Sequence, residues 1–490
     1  MALHIYNTLT RRKELFQPLN PPKVGMYVCG VTVYDYCHLG HARALINFDV
    51  IYRYLTTKGF EVTYVRNYTD VDDKIIKRAE EEGIAWNELA EKYIRAFNED
   101  MEALKLEKPT CQPKATEHIG EILKIVEALV EKGCAYKAGA DPAWGADIFY
   151  SVRKKSDYGK LSGKKIDELE SGARVEIHEA KNDPLDFALW KASKPGEPLW
   201  KSPWGDGRPG WHIECSAMSM KYLGVTFDIH GGGRDLAFPH HENEIAQSEA
   251  YSGKPFARYW IHNGFVNINA EKMSKSLGNF LTIRDLLKEY HEEVIRLFIL
   301  SAHYRSPLDY TEKNMQSARQ SLNRWYVTMA RIRGHCGKEK KAKLKPDEAK
   351  LAERVSRLYA DFEEAMDDDF NTARVNGLLF DLMREWNKAL DSEKTVCSSI
   401  CHLFVDTVAR MSEVLGVFGS DPETYLAFER GQVLKKADLA PEEIERKIQA
   451  RNEARKNRKW EEADEIRKEL TEAGVQLKDN PDGTTTWSVG

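Results

Sequence analysis

Between Val24 and Val33 the chain is rich in Val, Tyr and Met, and Glu61–Tyr68 repeats that texture, so both segments predict strands. Between them, apolar residues at 45, 46, 48, 50, 51, 52, 54 and 55 predict a helix over Ala42–Lys58 that is buried on much of its surface. Gly59, just past its last turn, ends it well. Strand, loop, helix and strand in this order make a parallel βαβ unit, and such sheets bind ligands outside the carboxyl ends of their strands. The loop Cys29–His41 lies in that place. Residues 74–135 read mainly as helix. From about 140 to 210, short strand-like pieces (Asp147–Val152, Arg174–His178) alternate with turns such as Lys194–Pro198, the texture of an inserted subdomain. Strand-and-loop texture continues from Gly210 to about Gly278. Helical periodicity then dominates from Asp285 to Gly419, with a Lys-rich break at 338–345 that reads as an exposed linker. The last segment, 440–490, opens with a basic helix and closes on the turn residues Asn480–Gly483.

Composition narrows the classes. Lys plus Arg is 72 against 77 for Asp plus Glu, a net charge of −5, which excludes a polybasic protein but not a nucleic-acid partner. The charge is uneven: Arg446–Lys459 holds seven basic residues and one acidic, Glu453. No run approaches the ~18 apolar residues of a membrane span, and the first residues do not form a secretory signal. Eight cysteines in 490 residues are too sparse for a disulfide scaffold, so the thiols are expected reduced and the protein cytoplasmic.

Two short strings carry candidate chemistry. His38-Leu39-Gly40-His41 sets two imidazoles three residues apart at a strand-to-helix junction, where free N–H groups and the helix dipole suit phosphates and Gly40 lets a ligand come close. Its spacing is neither a dinucleotide fingerprint nor a P-loop. Lys272-Met273-Ser274-Lys275-Ser276 describes a cationic loop. Either string alone also fits a structural loop or a solvated turn. As a pair, in this order, they resemble the HIGH and KMSKS motifs of class I aminoacyl-tRNA synthetases, with Leu39 where that family usually has Ile. The resemblance implies attack by an amino-acid carboxylate on the α-phosphate of ATP, presented with Mg²⁺. His38, Gly40 and His41 would hold the phosphates, and Lys272 and Lys275 would close on them.

A metal is suggested next. If a helix begins after Phe238-Pro239, His240 and Glu244 stand one turn apart on one side, and Cys29 and Cys215 are candidate outside ligands. The blocks Tyr27–Asp35, Gly210–Met218 and His230–Leu236, the last leading to Phe238–Glu244, resemble the cysteinyl-tRNA synthetase family. This likeness extends over essentially the whole chain. It implies one Zn²⁺ per chain held by Cys29, Cys215, His240 and Glu244, a ligand set that suits zinc. It further implies ATP-dependent attachment of L-cysteine to tRNA(Cys) through a cysteinyl-adenylate, with zinc selecting the thiolate against serine. Cys29, Thr69 and Trp211 would meet the cysteine. Gly232 and Asp235 would approach the adenosine, with Asp235 on the ribose or on the substrate ammonium.

The expected fold class is multidomain α/β. A Rossmann-like parallel-sheet catalytic domain with a stem-contact region (1–116 and 206–310) carries an inserted connective subdomain (117–205), too short to edit. A helical bundle (311–424) and a small anticodon-binding domain (425–490) follow. Asn371 or Thr372 is a candidate N-cap after an acidic run, and Trp460 adds a stacking surface at the end of the basic helix. The expected protein is a monomer whose partners are tRNA(Cys), L-cysteine and ATP, with no membrane. Two other readings compete. One is a zinc-dependent ligase joining cysteine to an amino sugar, which would lack the basic tail. The other is a non-catalytic zinc-containing RNA-binding protein, which would need neither loop intact.

Overall fold

Four parallel strands form the sheet that positions the site: β1 (Lys23–Thr32), β2 (Glu61–Thr69), β3 (Phe227–Gly233) and β4 (Ala257–Asn263), in the order β4-β3-β1-β2. The structure is a computed structural model. It describes residues 2–141, 145–166, 180–269, 271–272, 281–336, 346–392, 396–437, 441–479 and 485–489. Helix α1 (Leu39–Thr57) joins β1 to β2, and after the insertion α2 (Trp211–Leu223) and α3 (His240–Ser252) flank β3. From β1 the chain steps to β2 on one side and later returns to β3 on the other. The strand order therefore reverses between β1 and β3, the crevice where open α/β sheets bind ligands.

Consecutive residues of a strand point to opposite faces. On β3, a Cβ at Gly231 would overlap Phe48 of α1, and one at Gly232 would press on the His241 ring of α3. Both faces are thus covered, which is why the strands are nearly all apolar or buried. The β1–β2 ladder shifts register between Val28 and Val31, and a Cβ on Gly30 inside this bulge would overlap the carbonyl oxygen of Asn67. The Gly30 N–H instead donates to Asn67 Oδ1 at 2.8 Å.

The helix after β1 begins at Leu39, three residues before the expected start, because His38 itself is the N-cap. Between Gly210 and Gly278 the expected strand-and-loop texture is corrected: α2 and α3 occupy much of it. Every residue from His240 to Ser248 and from Ile213 to Ser219 is buried, polar ones included. A helix buried all round shows no 3.6-residue alternation of apolar and polar positions. The inserted region holds a helix, Ile119–Glu131, and a four-stranded antiparallel sheet (Ala135–Asp141, Gly145–Tyr150, Phe187–Ala192, Gly207–Pro209). Its core of Tyr150, Leu189 and Trp190 continues onto Ile213 and Ala246. The expected strand Arg174–His178, the break at 338–345 and the turn Asn480–Gly483 lie outside the described residues.

The chain divides into two compact units, Met1–Arg284 with Ile299–Thr311 and Ala360–Asn376, and Asp285–Phe298 with Glu312–Tyr359 and Gly377–Gly490. The first contains the sheet. There Asn371 caps the helix Thr372–Ser392 by accepting the Arg374 N–H at 3.0 Å. The acidic run before it is not a helix's first turn. Asp369, wholly buried at φ 64°, accepts from the Tyr6 N–H, the Tyr304 hydroxyl and Arg305 Nε at 2.7–2.9 Å. The second unit is mainly helical, and buried Glu293 gathers the N–H groups of Phe418, Gly419 and Ser420 with the Tyr326 hydroxyl. At its end, helices Pro441–Lys456 and Trp460–Glu472 pack with a hairpin, Val475–Asp479 and Thr485–Val489, over Ile444, Ile448, Leu470 and Val475. Trp460, 58% exposed, starts the second helix rather than ending the first. Arg451 and Arg455 both pair with Asp479, so part of the basic run is answered within the fold. No helix of the described residues is long and apolar enough to cross a membrane.

Gly30→Ala is expected to cost about 1–3 kcal/mol by overpacking the bulge, measured as a lower urea midpoint. Gly25→Ala on the same strand, whose Cβ would meet Phe227 at an ordinary 3.4 Å, is the control. Equal midpoints would contradict the packing argument.

Candidate metal centre and phosphate pocket

A cavity of about 610 Å³ opens at the carboxyl ends of β1 and β3. Among the residues singled out from the sequence, it is lined by Cys29, His38, Gly40, His41, Thr69, Trp211, Cys215, Asp235 and His240. Glu244 lies behind them, wholly buried. Gly232 does not line the cavity. It sits against the His241 ring, and its neighbour Gly233 lines the wall instead.

At the cavity floor, Cys29 from β1, Cys215 from α2, and His240 and Glu244 from α3 place one donor atom each within 4.8 Å of all the others. The thiols are 3.8 Å apart, Cys29 Sγ is 3.6 Å from Glu244 Oε1, and His240 Nε2 is 3.0 Å from the same oxygen. A tetrahedral zinc ion puts two sulfurs about 3.8 Å apart and sulfur and oxygen about 3.6 Å apart, given the usual bond lengths. Donor chemistry fits that metal, as do the two spacings from sulfur, while His240 and Glu244 stand at the hydrogen-bond distance of a metal-free pair. The His240 ring is oriented from outside, its Nδ1 meeting His212 Nδ1 at 2.9 Å while the Trp211 indole stacks on it at 4.2 Å.

A second set, Cys29, His230, His241 and Glu244, is equally close and was not legible in the sequence. His230 Nε2 meets Glu244 Oε2 at 2.9 Å, and His241 Nε2 lies 3.3 Å from Cys29 Sγ. Neither of these histidines lines the cavity, so only the first set presents a metal to a ligand there. The histidine next to His240 and the one opening the glycine run were the only signals for them. Asn67 was missed too. Its Oδ1 takes the Gly30 N–H in the bulge and its Nδ2 donates to Thr69 Oγ1 at 3.3 Å, so one amide ties the two strand ends.

Electrostatics divide these buried groups sharply. Burial pushes the Cys29 thiol well up, and the neighbouring Cys215 adds to this, whereas the hydrogen bond from Cys29 brings Cys215 down to about 6. Burial disfavours charge on His240 and Glu244. Glu244 and Cys215 outweigh it at His240, raising it to about 10, and His230 and His240 outweigh it at Glu244, lowering it to about 2. Burial and the surrounding histidines hold His241 and His212 well below the ordinary imidazole value. The metal-free floor at neutral pH is thus an imidazolium–carboxylate pair beside the Cys29 thiol and the Cys215 thiolate, and metal binding has protons to displace from His240 and Cys29.

At the rim, His38 and His41 form a reciprocal cap on α1. His38 Nδ1 accepts the N–H groups of Gly40 (3.0 Å) and His41 (3.3 Å), and His41 Nδ1 accepts the His38 N–H at 3.3 Å. The rings stack at 3.7 Å. An accepting Nδ1 leaves the proton of a neutral ring on Nε2, so both rings carry donors of fixed tautomer. The cavity lip at Phe265 is pinned by wholly buried Arg43 of α1, which donates to the Phe265 carbonyl at 2.8 Å. Lys272 belongs to the short strand Glu271–Lys272, paired with Val266–Ile268 beside the cavity, and Lys275 lies outside the described residues.

Comparison with known proteins shows the family. Residues 15–320 match the family of class I (C) tRNA synthetase catalytic domains, 361–419 the DALR domain, and 437–487 the cysteinyl-tRNA ligase anticodon binding domain. The chain is 56% identical over 491 residues to a cysteine–tRNA ligase of Geobacter sulfurreducens and 54% identical to one of Geobacter metallireducens, over 100% of both chains in each case. Methionyl-tRNA synthetase of Mycobacterium tuberculosis, solved in complex with methionyl-adenylate, shares the fold. Its TM-score is 0.60 at 14% identity, over 86% of this chain and 94% of that one.

The capping role of His38 separates from any role of its Nε2. His38→Ala is expected to lower stability by about 1 kcal/mol, and His38→Asn to recover it, because a carboxamide oxygen also accepts N–H groups. Thermal unfolding that ranks the two variants equally would contradict the capping role.

Proposed function

We propose that this chain, which belongs to the cysteinyl-tRNA synthetase family of class I ligases, joins L-cysteine to tRNA(Cys) through a cysteinyl-adenylate and selects cysteine at a zinc ion. The observation that carries this reading is one cavity with a thiol, imidazole and carboxylate cluster at its floor and two capping histidines at its rim.

The nucleophile of the first step is the cysteine carboxylate, already charged at neutral pH, so no general base is required. It attacks the α-phosphorus of ATP and diphosphate leaves. In the second step a terminal ribose hydroxyl of the tRNA attacks the adenylate carbonyl and AMP leaves. Rate then comes from in-line placement and from donors aimed at the phosphoryl oxygens. His38 and His41 supply two such donors through Nε2, with Gly40 allowing close approach. Lys272 and Lys275 bring positive charge to the leaving diphosphate. Asp235 and the glycine wall beside it face the nucleoside, while Thr69 and Trp211 flank the amino acid.

Cys29, Cys215, His240 and Glu244 would hold the metal. Bound there, zinc supplies a site that favours a thiolate over a serine hydroxyl, a distinction between near-isosteres that an apolar pocket makes poorly. Cys215, His240 and Glu244 are buried and Cys29 half-buried, which limits the water that reaches that floor. Selection of this kind leaves no need for an editing domain. The match of 437–487 to an anticodon binding domain supports tRNA as acceptor over an amino sugar. Arg446, Lys456 and Arg458, with exposed Trp460, are the groups we assign to that contact. Its place of action on this reading is the cytoplasm, as a monomer.

Cysteine-dependent ATP–diphosphate exchange tests the reading. Exchange should vanish when a chelator has removed the metal, return with added zinc, and stay negligible with serine throughout. Full exchange in verified metal-free protein would overturn the zinc role. Lys275→Ala should slow exchange by about 100-fold or more with little change in cysteine binding, and near-normal exchange would remove that lysine from the mechanism.

A further inference from the structure

The helix that carries His240 and Glu244 is not held at its start by its own sequence. Pro239 occupies the cap position, and no side chain caps the first turn. A loop of the inserted subdomain, residues 155–164, packs against it there. Glu242 is 1% exposed, its Oε2 accepting the N–H of Ser162 at 2.8 Å and its Oε1 that of Leu161 at 3.4 Å. The Tyr158 hydroxyl donates to Asn243 Oδ1 at 2.5 Å, again inside the protein. Further along the helix, Lys155 and Lys160 both pair with Glu249, at 2.8 and 2.6 Å.

The loop is not a loose cover. Leu161 is 1% exposed and belongs to the apolar cluster that contains Cys215, Ile245 and Trp260. Gly159 sits at φ 95°, where a Cβ would overlap the Lys164 carbonyl oxygen, and it accepts the Gly163 N–H at 2.7 Å. The loop is therefore closed on itself and anchored in the core behind the thiols. The two residues it grips, Glu242 and Asn243, lie between the two ligand positions of α3. A buried carboxylate needs its acceptors met, and here the loop's backbone meets them.

We propose that Glu242 and the 155–164 loop are positioning elements of the metal centre. They fix the first turn and the roll of α3, so that His240 and Glu244 converge on Cys29 and Cys215. Metal affinity, and with it the choice of cysteine, then depends on the inserted subdomain. This rests on zinc being held by those four residues.

The test is zinc affinity of the full chain, by competition with a chromophoric chelator, together with KM for cysteine and for ATP. Glu242→Ala should weaken zinc binding by about 10- to 100-fold. It should also raise KM for cysteine while leaving KM for ATP nearly unchanged. Glu242→Gln keeps an acceptor for the Ser162 N–H and should recover most of the loss. Tyr158→Phe, a milder change that serves if Glu242→Ala does not fold, should weaken zinc binding in the same direction. Wild-type affinity in Tyr158→Phe and Glu242→Ala would overturn the proposal. So would Glu242→Gln binding zinc no better than Glu242→Ala, or KM rising equally for both substrates. A wild-type chain that bound no zinc would instead remove the assignment of the ligands themselves.

Discussion

Two thiols, an imidazole and a carboxylate are gathered at the floor of one cavity, Cys215, His240 and Glu244 buried and Cys29 half-buried, and the rest of the catalytic unit is arranged around that fact. Without a metal they satisfy one another: Cys29 lies against Cys215, and His240 against Glu244. Charges are costly in such a place unless paired or bound to an ion. The four residues come from β1, α2 and α3, so the cluster exists only once β1 and β3 are neighbours and both helices are seated. Buried polar side chains from His240 to Ser248 would otherwise be a liability, and in α3 they are paired, Glu244 with both His240 and His230.

The same strand end supplies both the floor and the rim of the cavity. β1 carries Cys29 into the floor and, a few residues later, delivers His38 to the start of α1. The bulge at Gly30 lets the strand make that transition, and Asn67 locks it to β2 beside Thr69. The two histidines at the rim cap the helix, and the accepting Nδ1 of each fixes the proton of its neutral ring on Nε2.

Much of this was legible in the sequence, and the reasons for the rest are specific. Strands β1 and β2 announced themselves through apolar residues bounded by turn signals, and His240 and Glu244 through their spacing. Residues that share no local pattern were silent. His230 and His241 crowd the ligand cluster only because β3 and α3 pack together, and Asn67 bridges two strands that are far apart in the chain. Helix α2 was read as strand and loop, and α3 was signalled only by the His240–Glu244 spacing, because burial on every side erases the helical period. Asp369 read only as one residue of the acidic run before the Asn371 cap, whereas a left-handed backbone turns it inward onto Tyr6, Tyr304 and Arg305. The basic tail read as a surplus of charge until Asp479 was placed beside Arg451 and Arg455.

The central claim is that the metal at Cys29, Cys215, His240 and Glu244 meets the substrate through sulfur. Zinc-edge X-ray absorption of the full-length holoprotein measures this directly, with and without saturating cysteine. The account predicts two sulfurs at about 2.3 Å in the free protein and three in the cysteine complex, with serine leaving the spectrum unchanged. A sulfur count that stays at two when cysteine is bound would contradict it.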